Sequence, residues 1–166
     1  MGYAWGERCM LGFRRALCSG VAEALQSELS RMVRDSASSF DLVFENSCHL
    51  FMLGLCFGIS GYRDPQSNRE AGYGRYDIRL EPVAVSPESV EAFSALPQRP
   101  RVTVEIKFAR GDADDEELQA LAASALRQID EKGYDADELP PAATGRLRWG
   151  IAFCGKRVAA LCEHLA

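Results

Sequence analysis

A chain of 166 residues, 47% hydrophobic and 26% charged, has the size and composition of one globular domain with its own core. A net charge of −5 and a pI near 5.1 argue against a protein that holds nucleic acid by bulk positive charge. The charge is uneven: residues 59–110 hold 8 Lys/Arg against 7 Asp/Glu and residues 111–166 hold 6 against 11, so a substrate surface is expected in the middle of the chain.

Met1 to Leu17 carries Glu7, Arg8, Arg14 and Arg15 among scattered apolar residues, and lacks the continuous apolar stretch and small-residue cleavage site of a secretory signal. Residues 1–19 are read as an N-terminal extension and residues 20–166 as the domain. From Cys18 to Val33 the apolar positions Val21, Ala24, Leu25, Leu29, Met32 and Val33 recur at helical spacing, with Ser19 available as a cap. A second helix is expected after Ser38 or Ser39, running through Glu45 and His49 towards Ile59 and ended by Gly58 and Gly61. Its apolar stretch, Leu50 to Ile59, is half of the roughly 20 residues a membrane helix needs. No membrane association is expected, and the cytoplasm is the expected compartment.

Tyr73 to Leu80 reads as a strand, with Tyr76, Ile78 and Leu80 alternating against Asp77 and Arg79. Pro82, Pro87, Pro97 and Pro100 mark a connection, in which Ser86-Pro87-Glu88 suits the start of a short helix. Arg101 to Ala109 is a strand with Val102, Val104, Ile106 and Phe108 on one face and Thr103, Glu105 and Lys107 on the other. Asp114 to Lys132 is a helix with acids in its first turn and Gly133 as its stop. The acidic run Asp112 to Glu117 is therefore read as a solvated cap, not a metal site. Leu147 to Phe153 and Arg157 to Leu161 form two further strands. The layout is mixed α/β, most simply buried as one sheet flanked by helices.

Cys9, Cys18, Cys48, Cys56, Cys154 and Cys162 contain no CxxC pair and no Cys/His quartet, so buried free thiols are expected. His49 and His164 are too few and too far apart for a histidine-based metal site; His49 is expected in the core or behind the site, not as a ligand.

The chemistry centres on Val104-Glu105-Ile106-Lys107. Residues two apart on a strand project together, so Glu105 and Lys107 share a side while Ile106 points into the core. A carboxylate holds Mg²⁺, and an adjacent ammonium orients water or steadies developing phosphate charge. The alternative is the alternating solvent face of an ordinary strand. Asp77, on the preceding strand, either stands beside Glu105 with a cation between them or pairs with Arg75, Arg79 or Lys107. Arg69, Arg75 and Arg79 are either phosphate contacts or structural partners of carboxylates.

Residues 67–78, Ser-Asn-Arg-Glu-Ala-Gly-Tyr-Gly-Arg-Tyr-Asp-Ile, resemble the SNRESGYGRYDI signature of one bacterial branch of the PD-(D/E)xK nuclease superfamily. Residues 126–132 with Tyr134 are similar to its ALxQIxEKxY helix, residues 150–156 to its GIAFxGK hairpin, and residues 45–55 to its ExFYHGFxLGL segment. The resemblance covers roughly residues 20 to 160. It implies a restriction-endonuclease-like α/β core, with a central mixed β-sheet flanked by helices. It also implies an Mg²⁺- or Mn²⁺-dependent nuclease acting on nucleic acid, with DNA the expected substrate. By position, Glu45 matches the first acid, Asp77 the metal-binding aspartate, Glu105 and Lys107 the E-x-K, and Gln128 the glutamine of the following helix. The implied metal ligands are Asp77, Glu105, the Ile106 carbonyl and, directly or through water, Glu45, with Lys107 positioning the attacking hydroxide. Cys48 and Leu50 depart from the family's Tyr and Gly.

The branch usually follows an AAA-ATPase-like region, for which this chain has neither room nor a GxxxxGK[ST] loop; Gly72-Tyr73-Gly74 reads instead as a turn feeding a strand. The chain is accordingly expected to be a free-standing nuclease domain or a remnant of a longer ancestor. A homodimer and an ATPase partner supplied in trans are both compatible with this. A different class, the catalytically silent module that kept the fold for nucleic-acid binding or assembly, would ordinarily lack one of the acids or the lysine, and none is missing.

Overall fold

The computed structural model describes residues 3–36, 44–83 and 99–166. In chain order these form α1 (Tyr3–Ser19), α2 (Ala22–Ser36), α3 (Glu45–Leu55), β1 (Gln66–Ser67), β2 (Glu70–Ala71), β3 (Gly74–Arg75), β4 (Ile78–Leu80), β5 (Arg101–Phe108), α4 (Asp115–Lys132), β6 (Arg146–Cys154) and β7 (Arg157–Leu165). Five strands make one sheet in the order β1-β4-β5-β6-β7, and β2 and β3 form a separate hairpin. The pairings β1–β4, β4–β5 and β6–β7 are antiparallel and β5–β6 is parallel, so the sheet is mixed. The helical return that a parallel pair requires is α4.

One face of the sheet presents Ile78, Leu80, Val102, Val104, Ile106, Trp149, Ile151 and Phe153 to a core that includes Phe13 and Leu17 of α1, Leu25 and Leu29 of α2, and Cys48 and Met52 of α3. The segment set apart above as an extension thus contributes side chains to this core, and Trp149 donates its indole N–H to the Leu17 carbonyl at 3.0 Å. The other face is covered by α4, whose Leu118 and Ala122 meet Ala152, Cys154 and Ala159. Gly150 makes this contact possible, because a Cβ there would stand 2.1 Å from the Ala122 carbonyl oxygen.

α4 follows its sequence closely. Asp114 caps it by accepting from the Glu117 amide at 2.8 Å, Glu117 accepts from the Asp114 amide at 2.9 Å, and Gly133 closes it in the left-handed region. β6 and β7 appear where expected, extended by a few residues.

Three expectations are corrected. The helix read from Cys18 to Val33 begins at Ala22, because Cys18 and Ser19 complete α1 and the Ser19 hydroxyl turns back to the Ala16 carbonyl. The next helix runs over Glu45–Leu55, with Phe44 at its N-cap making no side-chain cap bond; residues 38–43 lie outside the described residues. The single strand read from Tyr73 to Leu80 is broken at Tyr76 and Asp77 into the hairpin strand β3 and the sheet strand β4. The break follows from docking: the Tyr73 amide bonds the Lys132 carbonyl at 2.8 Å, tying the hairpin turn to the end of α4. Gly72, at φ 54°, lies so close that a Cβ would fall 2.1 Å from the same oxygen. The helix suggested by Ser86-Pro87-Glu88 lies outside the described residues. No described helix is long and apolar enough to cross a membrane.

Candidate active site

β5 is the third of five strands and is covered on both faces, so its polar side chains cannot all reach water. Glu105 is only 3% exposed, which rules out the ordinary solvent-face reading of the E-x-K pattern. Its Oε1 accepts from Lys107 Nζ at 3.2 Å and from the Gln128 amide, while its Oε2 is buried with no hydrogen-bond partner. Gln128 also accepts from Lys107 through Oε1 and donates to the Tyr134 hydroxyl at 3.1 Å. One glutamine on α4 therefore fixes both members of the E-x-K pair.

Asp77 sits in the bend just before β4. Ile78 pairs with Val104, and continuing that antiparallel register by one residue sets Asp77 opposite Glu105, on the same side of the sheet. Its Oδ2 accepts the Ile106 amide at 2.7 Å. The cations considered as its partners are engaged elsewhere: Arg75 with Glu70, Arg79 with Asp137 and Glu81, and Lys107 with Glu105. The Asp77 carbonyl is held by the Asn68 amide at 3.1 Å and His49 Nε2 at 3.2 Å, and the same ring nitrogen meets Ser67 Oγ at 3.1 Å. His49 thus stands behind the site, on the main chain of Asp77.

Glu45 opens α3 and is exposed. Its charge reaches both other acids, pushing each upward. Burial, followed by the charge of Asp77, raises Glu105 to about 7. Burial also raises Asp77, against the pull of the Ile106 amide. An acid pair held in this way is strained electrostatically until a cation or protons compensate it.

Ile106 contributes its main-chain amide to this arrangement, while its side chain lies in the core. Arg69 is exposed and Arg75 is exposed in a 3.3 Å pair with Glu70 across the hairpin. Arg79 is corrected as a phosphate contact. It is buried, lies 4.4 Å from the centre of the Tyr76 ring, bonds the Tyr134 carbonyl, and pairs with Asp137 and Glu81. Both faces of β4 are covered, so its side chain is committed to clamping the loop after α4.

The departures at Cys48 and Leu50 leave the acids untouched: Cys48 is wholly buried in the core and Leu50 projects into solvent. All six cysteines are free thiols, four buried and two half-buried.

Several residues that build the site were not assigned a role from sequence. Tyr134 and Ser67 stood in quoted motifs, but only tertiary contact shows that they hold Gln128 and His49. Arg101, Arg148 and Asp135 carried no local signal. Arg101 is buried against Glu81 and Asp137, and Arg148 grips the buried Asp135 at 2.8 and 2.9 Å.

Among the described residues, no three His, Cys, Asp or Glu side chains form a ready metal cage. Mg²⁺, however, is commonly held by one or two carboxylates with water completing its shell. The unpartnered Glu105 oxygen beside the raised Asp77 fits such a two-carboxylate site.

A central mixed sheet with flanking helices, presenting a carboxylate and a lysine from β5 and a second carboxylate from the bend before β4, is a restriction-endonuclease-like α/β core. Residues 43–163 match the model of the PD-(D/E)XK nuclease superfamily, and the chain belongs to that superfamily. No curated protein and no solved structure matches the chain.

Proposed function

We propose that the chain is a metal-dependent nuclease that hydrolyses phosphodiester bonds, with DNA as its substrate. The observation that carries this is the buried Glu105, one oxygen unpartnered, set across from Asp77 and tied to Lys107 and Gln128. Asp77, Glu105, the Ile106 carbonyl and, through water, Glu45 would hold Mg²⁺ or Mn²⁺. When bound, such an ion polarises a phosphoryl oxygen and acidifies a coordinated water.

The protein's own groups do the rest. Lys107, restrained by Gln128 Oε1, presents its ammonium where it orients the attacking water and offsets charge developing on the phosphate. Tyr134 keeps the Gln128 amide in the orientation that serves both Lys107 and Glu105. Arg69 and Arg75, exposed on the hairpin side, are proposed as contacts to flanking phosphates. A silent module that kept only the fold would not need acids held at this cost, since an unpaired buried carboxylate destabilises whatever contains it.

The test is cleavage of plasmid and of oligonucleotide by the purified chain with Mg²⁺ or Mn²⁺, then with excess chelator. Cleavage that needs the metal and disappears in Glu105→Gln is the expected result. Full activity in chelator, or no cleavage under any metal, overturns the proposal.

A further inference from the structure

The described residues line a half-open concavity of about 710 Å³, remote from the carboxylates. It lies against α1 and the N-terminal ends of β5 and β6, where Pro100 and Gly145 precede the strands. Lys107 is six residues further along β5 than Arg101, about 20 Å at the rise of an extended strand. The lining residue Leu147 belongs to the core under α1, whereas Gln128 of the acidic site lies on α4, across the sheet. The two sites therefore occupy opposite ends and opposite faces.

The concavity is chemically two-sided. Arg14, Arg15 and Arg99 line it, and among the described residues its lining holds no Asp or Glu, although the chain as a whole carries −5. Arg14 is anchored by donating to the Phe57 carbonyl at 3.0 Å, yet its Nε is buried without a hydrogen-bond partner. Arg146 also touches the concavity, but its side chain alternates onto the α4 face of β6 and its guanidinium is committed to the main-chain oxygens of Asp135, Asp137 and Ala166. Leu11, Ile59 and the Tyr62 ring supply an apolar side. A planar guanidinium presents paired donors that match phosphate oxygens. The volume falls within the range of small-molecule pockets, of which a few placed polar groups on an apolar wall are typical.

We propose that this concavity binds a mononucleotide, its phosphate among the arginines and its base against the apolar side. Its volume lies in the range of pockets that take a single small molecule, which favours one nucleotide over a strand. The site does not depend on the nuclease reading, since it shares no residue with the acidic cluster.

Titration calorimetry in excess chelator tests it, with AMP, adenosine and inorganic phosphate as three separate probes. AMP should bind saturably at one site per chain, and adenosine and phosphate each about tenfold or more weaker, because each lacks half of the recognised chemistry. Arg15→Glu, at an exposed position, and Arg14→Ala should each weaken AMP about tenfold or more while keeping a cooperative unfolding transition. Arg15→Glu should leave metal-dependent cleavage unchanged, and Glu105→Gln should leave AMP binding unchanged. The proposal is overturned if AMP does not saturate or adenosine binds as tightly. It is equally overturned if AMP binding survives both arginine variants and is lost in Glu105→Gln, which would place the nucleotide among the carboxylates.

Discussion

Glu105 combines deep burial, one unpartnered oxygen and the nearby charge of Asp77, and these together raise it to about 7. Its folded value lies above the ordinary carboxylate value, so the folded state binds this proton more tightly than the unfolded chain does. Its contribution to stability is therefore full below about 4.5 and is lost as pH rises through about 7. Urea denaturation in chelator should show the wild type gaining stability as pH falls across that window. Glu105→Gln should flatten that part of the profile. A divalent cation must displace the same proton, so Mg²⁺ affinity should rise with pH through the same range. Lys107 answers a different question. Lys107→Ala should reduce cleavage by about 10²–10³-fold, the scale of losing one preorganised charge donor at a transition state. Its unfolding midpoint should also fall, because the substitution removes the cation beside the buried Glu105, so cleavage is compared at a temperature where both proteins are folded. Near-normal cleavage by that variant would remove lysine from the mechanism.

The elements place these side chains through close packing more than through loop conformation. α4 lies so near β6 that the Ala122 carbonyl occupies the space of a Gly150 side chain. Gly150 is also the register partner of Glu105, so any outward movement of α4 there carries Gln128 away from the carboxylate. Gly150→Ala should cost about 1–3 kcal/mol in chemical denaturation, the range for overpacking a filled interior. Its cleavage rate should fall further than stability alone predicts, because the Gln128 contacts lengthen. The caps of α4 were legible in advance, since Asp114, Glu117 and Gly133 act on backbone groups four residues or fewer away. The break between β3 and β4 was not, because its cause is a hydrogen bond from Tyr73 to Lys132, at the far end of another helix.

At the scale of the molecule, α1 belongs to the same core as the sheet. Phe13 and Leu17 are wholly buried, and each side chain contributes about 1.5–3 kcal/mol by leaving water. That is a large share of the roughly 5–15 kcal/mol by which domains are stable. A chain shortened to residues 20–166 should lose its cooperative thermal transition or unfold at much lower temperature; an unchanged melting curve would show that α1 is dispensable. The sequence by itself determined what acts over a few residues. The alternation of β5 set Glu105 and Lys107 on one side, the helical period and caps defined α4, and the ordered motifs pointed to the superfamily that the family model then matched. Tertiary structure alone decided which of those side chains meet water. Alternation says that two residues share a face, but whether that face is wet depends on what packs on it, here α4, whose Gln128 lies 23 residues beyond Glu105 in the chain. For that reason Arg79 became an internal clamp instead of a phosphate contact, and Glu105 became a buried acid instead of a surface charge.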